Sequence, residues 1–175
     1  MKYICRYPSP LGGVTLASGG ETLAGLWFDG QKYFGRGLDG DPEERELPVF
    51  AEAARWLDLY FSGRDPGFTP PLRPAGTPFQ LSVWAALSRI PFGGTATYGE
   101  IARELGRGEG RGTSARAVGG AVGRNPISLI IPCHRVVGAG GLTGYAGGLD
   151  RKAWLLDLEQ GPAGARAPTI GPISV

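Results

Sequence analysis

The chain has 175 residues, 42 % of them hydrophobic, with 4 Trp, 6 Tyr and 7 Phe. That is enough apolar material for a core and excludes a wholly disordered chain. Lys and Arg number 18 against 16 Asp and Glu, a formal charge of +2, too small by itself to mark a nucleic-acid protein.

Residues 2–7 (KYICRY), 13–18 (GVTLAS) and 23–28 (LAGLWF) read as strands parted by Gly- and Pro-containing turns, an antiparallel meander. Residues 31–47 show no period and read as loop. Between Pro48 and Phe61, the residues Phe50, Ala53, Ala54, Leu57, Tyr60 and Phe61 share one face, so a helix is expected, ended by Gly63. Four prolines and two glycines over 64–76 exclude a helix or central strand, and this stretch reads as a linker.

Beyond it the pattern turns helical. Thr77 is placed to cap a helix with Pro78 at its first position, and Phe79, Val83, Trp84 and Leu87 carry an apolar stripe to Ile90. Thr97 and Glu100 form a capping box for a short helix through Ile101, Ala102 and Leu105, closed by Gly106. A loop over 107–113 (RGEGRGT) leads to Ser114, a cap for a helix over 115–123 with Arg116 near its start. Two short helices, the second led by Arg, give a helix-turn-helix pattern with a longer loop than that motif's usual turn. Arg103, Arg107, Arg111, Arg116 and Arg124 face only Glu104 and Glu109, which makes residues 103–124 locally basic. Residues 127–137 (ISLIIPCHRVV) set two apolar runs around Pro132-Cys133-His134-Arg135. A Gly-rich loop follows, then a last helix capped by Asp150 and running through Trp154, Leu155 and Leu158 to Glu159, and a terminal coil over 162–175. No run of ~20 apolar residues exists to span a membrane. The N-terminus lacks a signal-peptide core, so a cytoplasmic location is expected.

Cys133 and His134 pair a potential thiolate with the chain's one imidazole. Neighbours in sequence rarely face each other, so a bridging water is the better link between them. Each candidate also has a plain reading. A lone Cys is usually a small core hydrophobe, Arg116 a solvated arginine, Tyr98 a half-buried aromatic, and Asn125 before Pro126 a turn residue. Glu159 stands at a helix end where the dipole disfavours a carboxylate, which asks for a partner, and His134 is the candidate. Cys5 alternates with Tyr3 and Tyr7 and reads as structural. Two cysteines do not make a disulfide scaffold, and one histidine with two scattered cysteines does not make a structural zinc site.

Together these residues stop being independent. Residues 77–105 (TPFQLSVWAALSRIPFGGTATYGEIAREL) and 115–159, with ARAVGGAVGRNP, IPCHRVVG and GYAGGLDRKAWLLDLE, resemble the O6-alkylguanine-DNA alkyltransferases, also called methylated-DNA–protein-cysteine methyltransferases. The resemblance implies an α+β chain: a small RNase H-like sheet-and-helix domain over 1–63, the linker, and a winged-helix-like DNA-binding domain over 77–161. It implies suicide repair, in which the alkyl group on guanine O6 moves irreversibly to Cys133. His134 would act as base through a water, Glu159 would orient it, and Asn125 would hold the turn between the recognition helix and the active-site loop. Arg116 would take the place of the flipped base, Tyr98 would crowd the neighbouring phosphate, and Tyr145 would donate to the guanine ring. The backbone of Cys133 and Val136 would accept from the exocyclic amine, and the amides near Ala146 and Gly147 would meet O6. The implied partner is double-stranded DNA bearing O6-alkylguanine, approached from the minor groove past Ala117, Gly119, Gly120 and Ala121. The protein is expected to be a monomer with no cofactor, metal ion or membrane partner. Guanine O6 lies inside the paired stack, so the base must leave the helix to meet a cysteine.

Some relatives carry Ser where this chain has Ala146, and the histidines that bind zinc in some relatives' N-terminal domains are absent. Two other readings compete. One is a module that binds alkylated bases without repairing them, against which Cys133 argues. The other is a Cys–His thiol hydrolase, for which the sequence offers no oxyanion hole.

Overall fold

The structure, a computed structural model, describes residues 1–109 and 112–161; Arg111 and the coil expected over 162–175 lie outside them. The chain divides into two units, Met1–Ala75 with Pro126–Ser128, and Gly76–Asn125 with the described residues from Leu129 on.

In the first unit β1 (Tyr3–Ser9), β2 (Gly12–Ser18) and β3 (Leu23–Phe28) form the antiparallel meander. A two-residue strand, β4 (Glu43–Glu44), adds parallel to β1, giving the order β3-β2-β1-β4. β4 falls in the stretch expected as loop, since its two exposed glutamates carry no apolar period. β2 is buried from Val14 to Ser18, so both of its faces are covered. One cluster joins Ile4, Ala17 and Trp27 with Met1 and Leu38. Helix α1 (Pro48–Phe61) packs on β1 and β3 and buries Val49, Phe50, Ala53, Trp56, Leu57 and Tyr60. Ala54 and Phe61, expected on that face, are only half-buried.

The outer edge of β3 is closed by irregular chain. Leu23 N–H donates to the Pro71 carbonyl at 2.8 Å, and the Leu23 carbonyl accepts from Arg73 N–H at 2.8 Å. Leu26 makes the same pair of bonds with Pro126 and Ser128, each at 2.9 Å. The segment expected as a linker is therefore tied to the sheet over residues 71–73. Proline is tolerated there because Pro71 supplies only its carbonyl to the ladder. An edge that would otherwise template another chain is blocked.

The second unit contains α2 (Pro78–Ser88), α3 (Tyr98–Glu109), α4 (Ala115–Gly123) and α5 (Leu149–Gln160). A short parallel ladder joins β5 (Ala96–Thr97) to β6 (Val136–Val137). Helices α2, α3 and α4 pack on one another, and the Trp84 indole N–H donates to the Ala121 carbonyl at 2.9 Å. Ser114 caps α4 through the Ala117 amide at 3.0 Å. Helix α3 does not stop at Gly106 but runs to Glu109. A helical Gly costs about 1 kcal/mol, too little to end a helix anchored by buried Ile101 and Ala102 and carrying Arg107 in its last turn. The connection expected over 107–113 is shorter for that reason. Helix α5 is not capped by Asp150. Gly148, at φ 94°, holds the N-cap position and Asp150 falls in the first turn, where its charge suits the dipole without capping.

Candidate active site

Three pieces of the second unit converge: the end of α4, the run from Leu129 into a 3₁₀ turn at Cys133–Arg135, and α5. Asn125 follows α4, is 5 % exposed, and donates from its side chain to the Ile131 carbonyl at 2.8 Å. It ties the helix end to the chain entering Pro132. Leu129, wholly buried, takes φ 70°, a left-handed conformation that costs a leucine roughly 1–2 kcal/mol and is held by the surrounding core.

The 3₁₀ turn buries Cys133, His134 and Arg135 together. The carboxylate of Glu159, on the last turn of α5, is the hub. One oxygen meets His134 Nε2. The other accepts from Arg135 Nε at 2.7 Å and from the Gly93 amide at 3.1 Å. Gly93 has φ 81°, a left-handed conformation that glycine adopts without a steric cost. Arg135 also donates to the Ile90 carbonyl at 2.7 Å and lies 5.8 Å from the Phe92 ring centroid. A carboxylate accepts only, so Nε2 carries the hydrogen and Nδ1 carries the lone pair of a neutral imidazole. Burial holds His134 below its ordinary value, against the pull of Glu159. The ring is therefore an uncharged acceptor at neutral pH.

Burial also pushes the Cys133 thiol up. The Asn125 side chain, the Lys152 ammonium and the amides of Cys133 and His134 act against that rise. Tyr145 stands well above its ordinary value, chiefly through burial and secondly through the nearby thiol. It stays a phenol, with its hydroxyl buried and no hydrogen-bond partner among the described residues. Tyr98, half-buried, places its hydroxyl 3.3 Å from the Thr143 carbonyl. Gly147 is buried and Ala146 half-buried, and the Gly147 carbonyl accepts from Arg151 at 3.1 Å. The Val136 carbonyl, expected to face the substrate amine, already accepts from Lys152 Nζ.

Arg116 and Ala117 lie exposed at the start of α4. Of the small residues expected on its outer face, Ala121 is instead buried, its carbonyl taken by Trp84. A Cβ on Gly119 would sit 3.7 Å from the Tyr98 ring. Ala121 faces inward because it shares the i, i+3 and i+4 face of α4 with buried Val118 and Val122, and α4 packs on α2 and α3. Two site residues escaped the sequence reading, Arg135 and Lys152. Both are charged and buried, the combination that residue type argues against. The only sequence signal for Arg135 was its place beside the Cys–His pair.

A model of the 6-O-methylguanine DNA methyltransferase ribonuclease-like domain matches residues 2–74, and one of that family's DNA-binding domain matches residues 78–161. The chain belongs to the 6-O-methylguanine DNA methyltransferase family. The family consists of DNA-repair proteins that move an alkyl group to a protein cysteine. The methylated-DNA–protein-cysteine methyltransferase of Methanosarcina acetivorans is 48 % identical over 158 residues, covering 90 % of this chain and 97 % of that one. Its counterpart in Haemophilus influenzae is 42 % identical over 91 % of this chain and 87 % of its own. The crystal structure of Mycobacterium tuberculosis OGT in complex with DNA superimposes with a TM-score of 0.76 at 44 % identity, covering 90 % of this chain and 92 % of that one. The two-domain α+β organisation read from the sequence is the family's.

Proposed function

We propose that this protein turns O6-alkylguanine, chiefly O6-methylguanine, out of double-stranded DNA and takes the alkyl group irreversibly onto Cys133. The observation that carries the reading is the buried Cys133–His134 turn backed by Glu159, whose carboxylate sets the imidazole tautomer. The Cys133 thiol gives its proton through a water to His134 Nδ1, and the thiolate is the nucleophile. As the S–C bond forms, the bond from the methyl carbon to O6 breaks and its electron pair stays on guanine. A proton returned from the imidazolium through the water neutralises that pair, while the Tyr145 hydroxyl hydrogen-bonds the ring and improves the leaving group. The products are guanine and a thioether. A thioether is not cleaved by water or base, so each molecule reacts once.

The remaining roles follow the same reading. Asn125 holds the turn from α4 into the active-site chain. Arg116 fills the gap the base leaves, which offsets part of an extrusion cost of a few kcal/mol. Tyr98 meets the adjacent phosphate. The backbone at Cys133 and Val136 recognises the exocyclic amine, and the amides of Ala146 and Gly147 meet O6. The α4 face enters the minor groove, and the protein works as a cytoplasmic monomer without cofactor or metal ion.

The test is intact-protein mass after incubation with a duplex carrying one O6-methylguanine. Wild type and Cys5→Ser are expected to gain one methyl group, and Cys133→Ser none. Binding without a mass gain would leave a lesion-binding module, and repeated turnover a hydrolase.

A further inference from the structure

Arg135 is 8 % exposed, although a guanidinium stays charged at any working pH and seldom leaves water without a partner. Its partner is Glu159. Arg135 Nε donates to one carboxylate oxygen at 2.7 Å, while its Nη1 donates at 2.7 Å to the Ile90 carbonyl just beyond α2. The other oxygen of Glu159 meets His134 Nε2. The side chains of Glu159 and His134 expose no surface. Guanidinium, carboxylate and imidazole thus form one buried row whose charges cancel when the ring is neutral. The Gly93 amide also reaches Glu159, at 3.1 Å, but a neutral donor balances no charge.

We propose that Arg135 is a positioning residue for the transfer, one whose charge keeps an extra proton out of the Glu159–His134 pair and so keeps Nδ1 an acceptor for the Cys133 proton. The inference rests on the transfer reading above. A buried carboxylate beside a neutral ring, with its cation removed, is an uncompensated charge, and an interior relieves such a charge by binding a proton. That proton has two places to go. On Glu159 it makes a carboxylic acid that donates to Nε2, and the ring's own hydrogen then sits on Nδ1. On the ring it makes an imidazolium, with hydrogen on both nitrogens. In either placement Nδ1 is occupied and takes nothing from the thiol. With Arg135 in place the carboxylate is already balanced, the pair binds no further proton, and the ring's hydrogen stays on Nε2. Burial holds the ring below its ordinary value, and Arg135 adds to that effect. The other charged or titratable groups around the pair are Cys133 on the 3₁₀ turn, Lys152 on α5, and Tyr145.

The experiment compares Arg135→Met and Arg135→Lys with their parent, all carrying Cys5→Ser. The chain's one histidine gives one pair of imidazole nitrogen signals by NMR, so the ring's hydrogens are read without assignment. At neutral pH, Nδ1 is expected to be unprotonated in the parent and protonated in Arg135→Met. Arg135→Lys keeps the charge and is expected to keep the parent's pattern. Single-turnover transfer from an O6-methylguanine duplex is expected to slow by about tenfold or more in Arg135→Met, and Arg135→Lys to recover part of that loss. The duplex Kd is expected to change by less than about threefold in both, because the residue is buried. Slow transfer with an unmoved Nδ1 signal would mean that Arg135 only braces the turn through Ile90, and it overturns the proposal. Transfer within about threefold of the parent overturns it as well. Should Arg135→Met not fold, Arg135→Gln, which keeps a donor without the charge, is expected to show the same protonated Nδ1, and the parent's pattern there overturns the proposal. A parent with hydrogen on Nδ1 at neutral pH overturns it with no variant at all. If the parent gains no methyl group, the transfer reading fails, while the NMR arm still reports whether Arg135 sets the ring's hydrogens.

Discussion

His134 spends its working life as an uncharged ring inside protein, and that has a cost in acid. An exposed histidine takes up a proton near 6.5, whereas burial holds this ring below that value. As pH falls past 6.5 the unfolded chain binds the proton first. Stability therefore rises with pH across the interval between the two values and is lost as pH falls through it. The ring's neighbours decide how much is lost: Glu159 favours the charged form, and Arg135 and Lys152 oppose it. The chain has one histidine, and carboxylates titrate mostly lower, so melting temperatures between roughly pH 5.5 and 7 isolate this group. Wild type is expected to lose stability over that window and His134→Gln to show a flatter profile. Equal slopes would mean that His134 already ionises freely in the fold.

At the scale of the element, the helices with local signals were legible and those shaped by tertiary contact were not. Helix α1 is where the apolar stripe put it, and α2 begins where Thr77 and Pro78 said it would. The cap is reciprocal: Thr77 Oγ1 accepts from the Gln80 amide at 3.2 Å, and Gln80 Oε1 accepts from the Thr77 amide at 3.0 Å. Thr77→Ala is expected to cost about 1 kcal/mol and to lower Tm by about 2–4 °C for a chain of this size, leaving the transfer rate unchanged. A Tm within error of wild type would show that the α2–α4 packing, not the cap, holds that helix end. The site divides in the same way. Cys133, His134 and Glu159 were legible because each residue type announces a chemistry or an unmet electrostatic need. Arg135 and Lys152 were not, because what makes them internal is a carboxylate and three carbonyls delivered from distant parts of the chain. The 71–73 pairing with β3 was hidden by prolines, whose carbonyls still accept.

For the whole molecule, a net charge of +2 hides where the charge lies. Arg103, Arg107, Arg116 and Arg124 are all exposed on α3 and α4 or just beyond. An open cleft of about 590 Å³ between α3 and the start of α4 is lined in part by Arg103, Arg107 and Thr113. Each arginine that neutralises a phosphate adds about 0.9 to the slope of log affinity against log salt, so Arg103→Ala and Arg107→Ala are each expected to flatten that slope by about one unit. Arg116 should behave differently if it occupies the gap in the stack. There it releases no counterion, so Arg116→Ala leaves the salt slope in place and slows transfer from duplex DNA by about tenfold or more, a small part of the extrusion cost. A single-stranded oligonucleotide has no partner strand and no hole to fill, so the same variant is expected to match wild type on that substrate. Rate constants on both substrates at several salt concentrations separate the roles. A slope that drops with Arg116→Ala, together with equal losses on single and double strands, would make it one more phosphate contact.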